Sequence, residues 1–163
     1  MQLGRSLAAL VACALLLSFP AALAQPPRDT PYMASIASGR AMMRRGPGQT
    51  YPGIWLYVRR DLPIRVLRVH GDWRQIQDPD GTTGWMLVSL LSDQRTAIVR
   101  GEGLAPMHET PDEASPTRFR AEPNVVGRVS RCGGGWCNFD VGGRNGYIKV
   151  DRIWGVDPGE TIR

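Results

Sequence analysis

Apolar residues along this chain gather in short runs, and each run ends at a turn residue. Residues 62–69 are rich in β-branched side chains, Gly71-Asp72 is a tight turn, and residues 73–77 form the next strand. Asp78-Pro79-Asp80-Gly81 then makes a hairpin, because proline presets φ and glycine accepts φ above zero. Residues 84–88 are the returning strand, 89–91 a single helical turn, and 96–99 a last strand that closes the unit. The pattern predicts a five-strand meander of roughly 60 residues, near the smallest size at which one barrel sustains a core.

The unit occurs twice. Ala41-x-Met43 followed by Pro47 returns as Ala105-x-Met107 followed by Pro111, Trp73 as Trp136, Gly84-Trp85 as Gly146-Tyr147, and Leu91 as Ile153. In the second copy the strands are 125–129, 136–140 and 147–150, with a turn at 142–146. A period near 60 residues is too long for most solenoids, so each copy is expected to be a small domain, 32–99 and 100–157, followed by a tail at 158–163. Nothing resembling a flexible linker separates them, and the two barrels are expected to pack together.

The N-terminus reads differently. Arg5, the apolar run 7–19, Pro20 and Ala22-Leu23-Ala24 form a secretory signal cleaved after Ala24, giving a periplasmic or secreted chain. Leu10-Val11-Ala12-Cys13 is a competing lipobox that would instead anchor the chain by an acylated Cys13. Residues 25–31 form a polar, proline-rich leader. With 19 Gly, 13 Pro and 42% hydrophobic residues in 163, long helices are disfavoured and a compact all-β protein is favoured.

Arg44-Arg45-Gly46-Pro47-Gly48, Trp55, Leu62-Pro63-Ile64, Gly71-Asp72-Trp73, Asp80-Gly81, Gly84-Trp85 and Leu90-Leu91-Ser92 together resemble the bacterial SH3-like (SH3b) domains of secreted proteins. Residues 40–99 carry the likeness well. The second copy keeps Pro111, Trp136, Gly146-Tyr147 and Ile153, but has Glu109-Thr110 in place of Arg45-Gly46. The resemblance implies two tandem SH3-like β-barrels and a non-catalytic binding or targeting role at the cell envelope, without fixing a ligand.

Few residues offer chemistry. Cys132 and Cys137 bracket Gly-Gly-Gly-Trp at a hairpin tip and, in an exported chain, are expected to form a disulfide. Metal binding would need His70 and His108 from distant loops, and neither a metal nor a cofactor is expected. A cysteine nucleophile would need a free thiolate, and Asp78 with Asp80 reads as a turn pair, so no enzyme is expected. Trp73, Trp85 and Trp136 are expected to plug the barrels, and Trp154 to cover the bottom of the second.

Charge is more informative. Eight arginines lie between residues 40 and 74 against Asp61 and Asp72, a local net of +6 within a chain of net +5. Tyr51, Trp55 and Tyr57 fall in the same span, on what is expected to be a long loop between the first two strands. Arg44, Arg45, Arg59 and Arg60 beside those rings suit a cell-wall polymer or an anionic envelope partner, by stacking and ion pairing. Two other readings stand beside it. The arginines could be a compositional habit, since Lys149 is the sole lysine, and the barrels could dock on another envelope protein by a strand edge or apolar surface. Export disfavours nucleic acid despite a basic composition.

Overall fold

The computed structural model describes residues 28–163, so the export signal, the lipobox and the start of the leader lie outside the described residues. Seven strands come from the first copy: β1 (Tyr32–Ile36), β2 (Ala41–Arg44), β3 (Gly53–Tyr57), β4 (Pro63–His70), β5 (Trp73–Gln77), β6 (Thr83–Leu87) and β7 (Leu91–Ser92). Seven more follow: β8 (Thr96–Val99), β9 (Ala105–His108), β10 (Thr117–Ala121), β11 (Val126–Gly133), β12 (Trp136–Val141), β13 (Arg144–Lys149) and β14 (Ile153–Trp154). They form two antiparallel sheets with the same order, β3-β2-β6-β5-β4-β1-β7 and β10-β9-β13-β12-β11-β8-β14. The fold is all-β, two tandem SH3-like barrels, each carrying a single 3₁₀ turn before its last strand, at Val88–Leu90 and Val150–Arg152.

The expected meander is therefore two strands short in each copy. Residues 53–57, expected in a loop, pair with β2 in register Ala41 to Tyr57 and Met43 to Trp55. Thr96–Val99, expected to close the first unit, instead pairs with β11 and β14 in the second sheet, where it matches β1 of the first. All four of its residues are buried because both faces are covered. Ala97 and Val99 enter the second core, while Ile98 joins the first barrel's core beside Val126 and Trp154. A strand shared in this way leaves no room for a linker, and the barrels are packed together. Polar contacts reinforce the junction: Arg65 pairs with Asp157, Arg100 Nη2 with Asp80 at 2.7 Å, and Arg59 Nη2 donates to the Asn124 carbonyl at 2.9 Å.

Strand alternation decides which residues fill the barrels. Ile36, Met43, Ile64, Val66, Ile76 and Met86 fill the first; Val99, Met107, Val129, Phe139 and Ile148 fill the second. The tryptophans do not plug them. Trp85 lies between buried Gly84 and Met86, and Trp136 precedes buried Cys137, so both rings face outward and stay half-buried. Trp73 shares its face with Gln75 and Gln77. Trp154 packs against the first barrel's core rather than under the second. The repeated Gly-aromatic step has a steric cause, since a Cβ on Gly84 would lie 2.5 Å from Met43 Cγ and 2.9 Å from the Arg44 carbonyl. Glycine there lets β6 approach β2.

Cys132 and Cys137 are paired residues of the β11–β12 hairpin, joined by a disulfide whose sulfurs lie in the second core. The C-terminal tail folds back on them: Cys132 and Ile162 exchange backbone hydrogen bonds of 2.9 and 3.1 Å. Arg95 grips Glu160 through both carboxylate oxygens, at 2.5 and 3.0 Å.

Candidate functional site

Arg44, Arg45, Tyr51 and Trp55 lie on the β2–β3 hairpin, Arg59 and Arg60 follow the far end of β3 in the next turn, and Tyr57, the one exception, points inward. Tyr51 lies over the backbone of Gly46 and Gly48, and a Cβ on Gly46 would sit 2.5 Å from its ring carbons. Arg44 Nη1 donates to the Tyr51 carbonyl at 2.8 Å, and the Arg45 amide donates to the Pro52 carbonyl at 3.0 Å. These contacts hold the hairpin end and the Tyr51 ring in place. Tyr51 remains 47% exposed and Trp55 59% exposed. Arg45 is exposed on the same hairpin, and Arg59 and Arg60 are exposed past the end of β3, where Arg59 also donates to the Asn124 carbonyl.

Tyr57 is the exception. Its side chain follows that of its register partner Ala41 into the barrel, leaving it 6% exposed. Its hydroxyl donates to Asp78 Oδ2 at 2.8 Å, and Asp78 Oδ1 accepts the amides of Asp80 and Thr82 at 3.0 and 2.8 Å. Burial, then the hydrogen bond to Asp78 and its charge, push the phenol pKa well above its ordinary value. Tyr57 thus ties β3 to the 78–82 turn and offers little exposed surface, although it also lines the cleft beside the hairpin. Asp78 and Asp80 are turn residues as expected.

Beside the hairpin, Trp55, Leu56 and Val58 wall a cleft of about 670 Å³ that is completed by Ile98, Arg100 and Asn124 of the second barrel. A second cleft, of about 980 Å³, opens on the other barrel, with Trp136 and Trp154 among its apolar walls and Arg65 reaching in from the first. There Lys149 pairs with Glu113 and lies 5.9 Å from the Trp136 ring centroid, and His108 meets the same ring edge-on at 5.4 Å. His108 Nδ1 donates to the Ser115 carbonyl at 2.8 Å, which makes Nδ1 the protonated nitrogen. Sequence reasoning missed this cleft because it assigned Trp136 to the core. The signal was present in the alternation: a cysteine drawn into a buried disulfide forces its neighbour outward. Among the described residues no group of three His, Cys, Asp or Glu is placed to hold a metal.

A family model described as Bacterial SH3 domain matches the chain twice, over residues 37–93 and 101–155. The chain belongs to the bacterial SH3 domain family. Each matched copy begins just after β1 or β8, so each of these bacterial SH3 domains carries an additional leading strand paired into its own sheet. Over 126 residues, 74% of its length, this bacterial SH3 protein is 29% identical to the "Putative N-acetylmuramoyl-L-alanine amidase YrvJ" of Bacillus subtilis (strain 168), and it spans 22% of that relative. Similar solved structures include NlpC2 from Trichomonas vaginalis, at 13% identity and TM-score 0.35 over 81% of this chain and 52% of that one. NlpC1 from the same organism matches at 11% identity and TM-score 0.36, over 79% and 47%. Among the described residues no helix is long and apolar enough to cross a membrane.

Proposed function

We propose that this chain is a non-catalytic binding module of the cell envelope, periplasmic or secreted, that recognises cell-wall material or an anionic envelope partner through its first barrel. The observation that carries the reading is the pair of exposed rings, Trp55 and Tyr51, on the β2–β3 hairpin, with Arg44 and Arg45 at one end of β3 and Arg59 and Arg60 past the other. Aromatic faces stack on sugar rings and peptide planes, and guanidinium groups pair with carboxylates and phosphates. Membership of the bacterial SH3 family and the amidase name of the B. subtilis relative support a cell-wall setting. The export signal read at residues 1–24 supports it as well. A non-catalytic role is supported by the burial of Cys132 and Cys137 as a disulfide, which removes the two thiols of the folded part as nucleophiles.

The test is co-sedimentation of residues 25–163 with isolated peptidoglycan at low and high salt, beside Trp55→Ala. Pelleting that weakens with salt and is lost in the variant is expected. Pelleting unchanged in Trp55→Ala would remove the hairpin as the site, and no pelleting at either salt would remove the wall as the ligand. A second reading, docking on another envelope protein, is favoured by one observation: β3 is an end strand of its sheet with exposed apolar side chains.

A further inference from the structure

The two barrels carry the same edge strand with opposite chemistry. β3 and β10 each end their sheets, and each pairs inward with an equivalent partner in an equivalent register: Trp55 with Met43 and Phe119 with Met107, Tyr57 with Ala41 and Ala121 with Ala105. Both registers skip one residue, Ile54 in β3 and Arg118 in β10. The alignment is therefore residue by residue, and it places Ile54 opposite Arg118 and Leu56 opposite Arg120. An edge strand leaves a row of N–H and C=O groups unpaired, and charged side chains along it are the usual guard against pairing with another chain. The second barrel has that guard. The first has Ile54, Trp55, Leu56 and, just beyond, Val58, all exposed.

We infer that β3 is a docking edge, on which an extended segment of a partner protein adds as a further strand and lays its side chains into the cleft between the barrels. Charge selects the occupant. Four arginines bracket the apolar stretch, Arg44 and Arg45 beside Gly53 and Arg59 and Arg60 past Val58. A second copy of this chain, paired antiparallel through β3, would bring the Arg59-Arg60 end of each copy beside the Arg44-Arg45 end of the other, which like charges oppose. A segment with a β-branched centre and acidic residues at both ends sets apolar side chains against Ile54, Leu56 and Val58 and carboxylates against the two arginine pairs, the cleft's Asp80 being already paired with Arg100. The cleft walls that receive it, Ile98, Arg100 and Asn124, belong to the second barrel, so the site exists only in the tandem. The inference rests on the reading of the first barrel as a binding module, and not on wall recognition.

The probe is a fluorescein-labelled peptide, Asp-Glu-Val-Thr-Val-Thr-Val-Glu-Asp, titrated with the mature chain and followed by anisotropy. Two analogues are N-methylated, one at the valines and one at the threonines. Because alternate residues of a strand turn their N–H toward a given neighbour, strand addition predicts that one analogue binds at least roughly tenfold more weakly while the other binds like the parent. Ile54→Arg with Leu56→Arg copies the guard of β10 and is expected to weaken binding by a similar factor despite adding two positive charges. Hydrogen exchange of the amides at 53–58 is expected to slow when the peptide is bound. No binding up to about 1 mM peptide, equal binding of both analogues, or tighter binding by the doubly substituted chain would each overturn the inference. The N-methyl comparison uses the unsubstituted protein, so its outcome does not depend on the variant folding. Peptidoglycan pelleting fails or succeeds separately, which keeps the wall reading and this one distinguishable.

Discussion

Asp78 holds the first barrel together at a point where three donors meet one carboxylate, and removing it tests whether a short side chain can organise both a turn and a core tyrosine. In Asp78→Ala the Tyr57 hydroxyl stays buried with only the Met43 thioether, 3.8 Å away, as a weak acceptor, while the Asp80 and Thr82 amides regain water. An orphaned buried hydroxyl costs about 1–3 kcal/mol and each rehydrated amide bond about 0.5 kcal/mol, so a loss of about 3 kcal/mol is expected. Tyr57→Phe removes one hydrogen bond and leaves the carboxylate its two amides, so about 1.5 kcal/mol is expected. Urea unfolding followed by tryptophan fluorescence measures both. The phenol adds a pH arm. Its folded pKa lies above the ordinary value of 10.0, so above that pH the unfolded chain releases a proton that the folded chain retains. The stabilisation is complete below pH 10 and declines as pH rises through the folded value, by up to about 1.4 kcal/mol per pH unit. Tyr57→Phe should lack this alkaline component. Equal losses in the two variants, or Asp78→Ala within about 0.5 kcal/mol of the parent, would refute the assignment of Asp78 as the common acceptor.

Three further outcomes are expected. The Arg95 guanidinium holds the Glu160 carboxyl below its ordinary range against the opposing effect of burial, so its contribution is present above the unfolded value near 4.5 and lost as pH falls through the folded one. Glu160→Gln should cost about 1 kcal/mol or less at pH 7, with the gap to the parent closing in acid unfolding curves. Thiol titration of residues 25–163, unfolded and unreduced, should find no free cysteine, and replacing both Cys132 and Cys137 by Ala should cost about 2 kcal/mol, as the closing of so short a loop predicts. Ile98→Ala should cost about 2–4 kcal/mol and lower the unfolding midpoint of the first barrel although the residue sits on a strand of the second; an effect confined to the second barrel would contradict the shared strand.

Much of the fold was legible from local chemistry. The turn at 78–82, the β5–β6 hairpin and the disulfide-bearing hairpin at 132–137 depend on residues close in sequence, where proline, glycine and cysteine act through short-range geometry. The twofold repeat needed only the spacing of Ala-x-Met, Trp and Gly-aromatic steps. The hairpin proposed as a binding surface was marked out by its arginines and rings, although Trp55 stands on a strand, Tyr57 points inward, and Arg59 and Arg60 lie past the end of β3.

By itself the sequence determined the number of barrels, their all-β class and the family likeness, because each follows from patterns within about ten residues or from repetition. Only the tertiary structure decided which sheet takes Thr96–Val99, which face each tryptophan occupies and which edge stays open. An apolar strand between two modules satisfies either barrel equally well as a local pattern, and it was assigned by long-range pairing with β11 and β14 and by the burial of both its faces. The same holds for β3. Gly53–Tyr57 reads as an ordinary apolar run until the sheet order leaves it without a neighbour, and its contrast with Arg118 and Arg120 gains meaning only once the two edges can be superimposed.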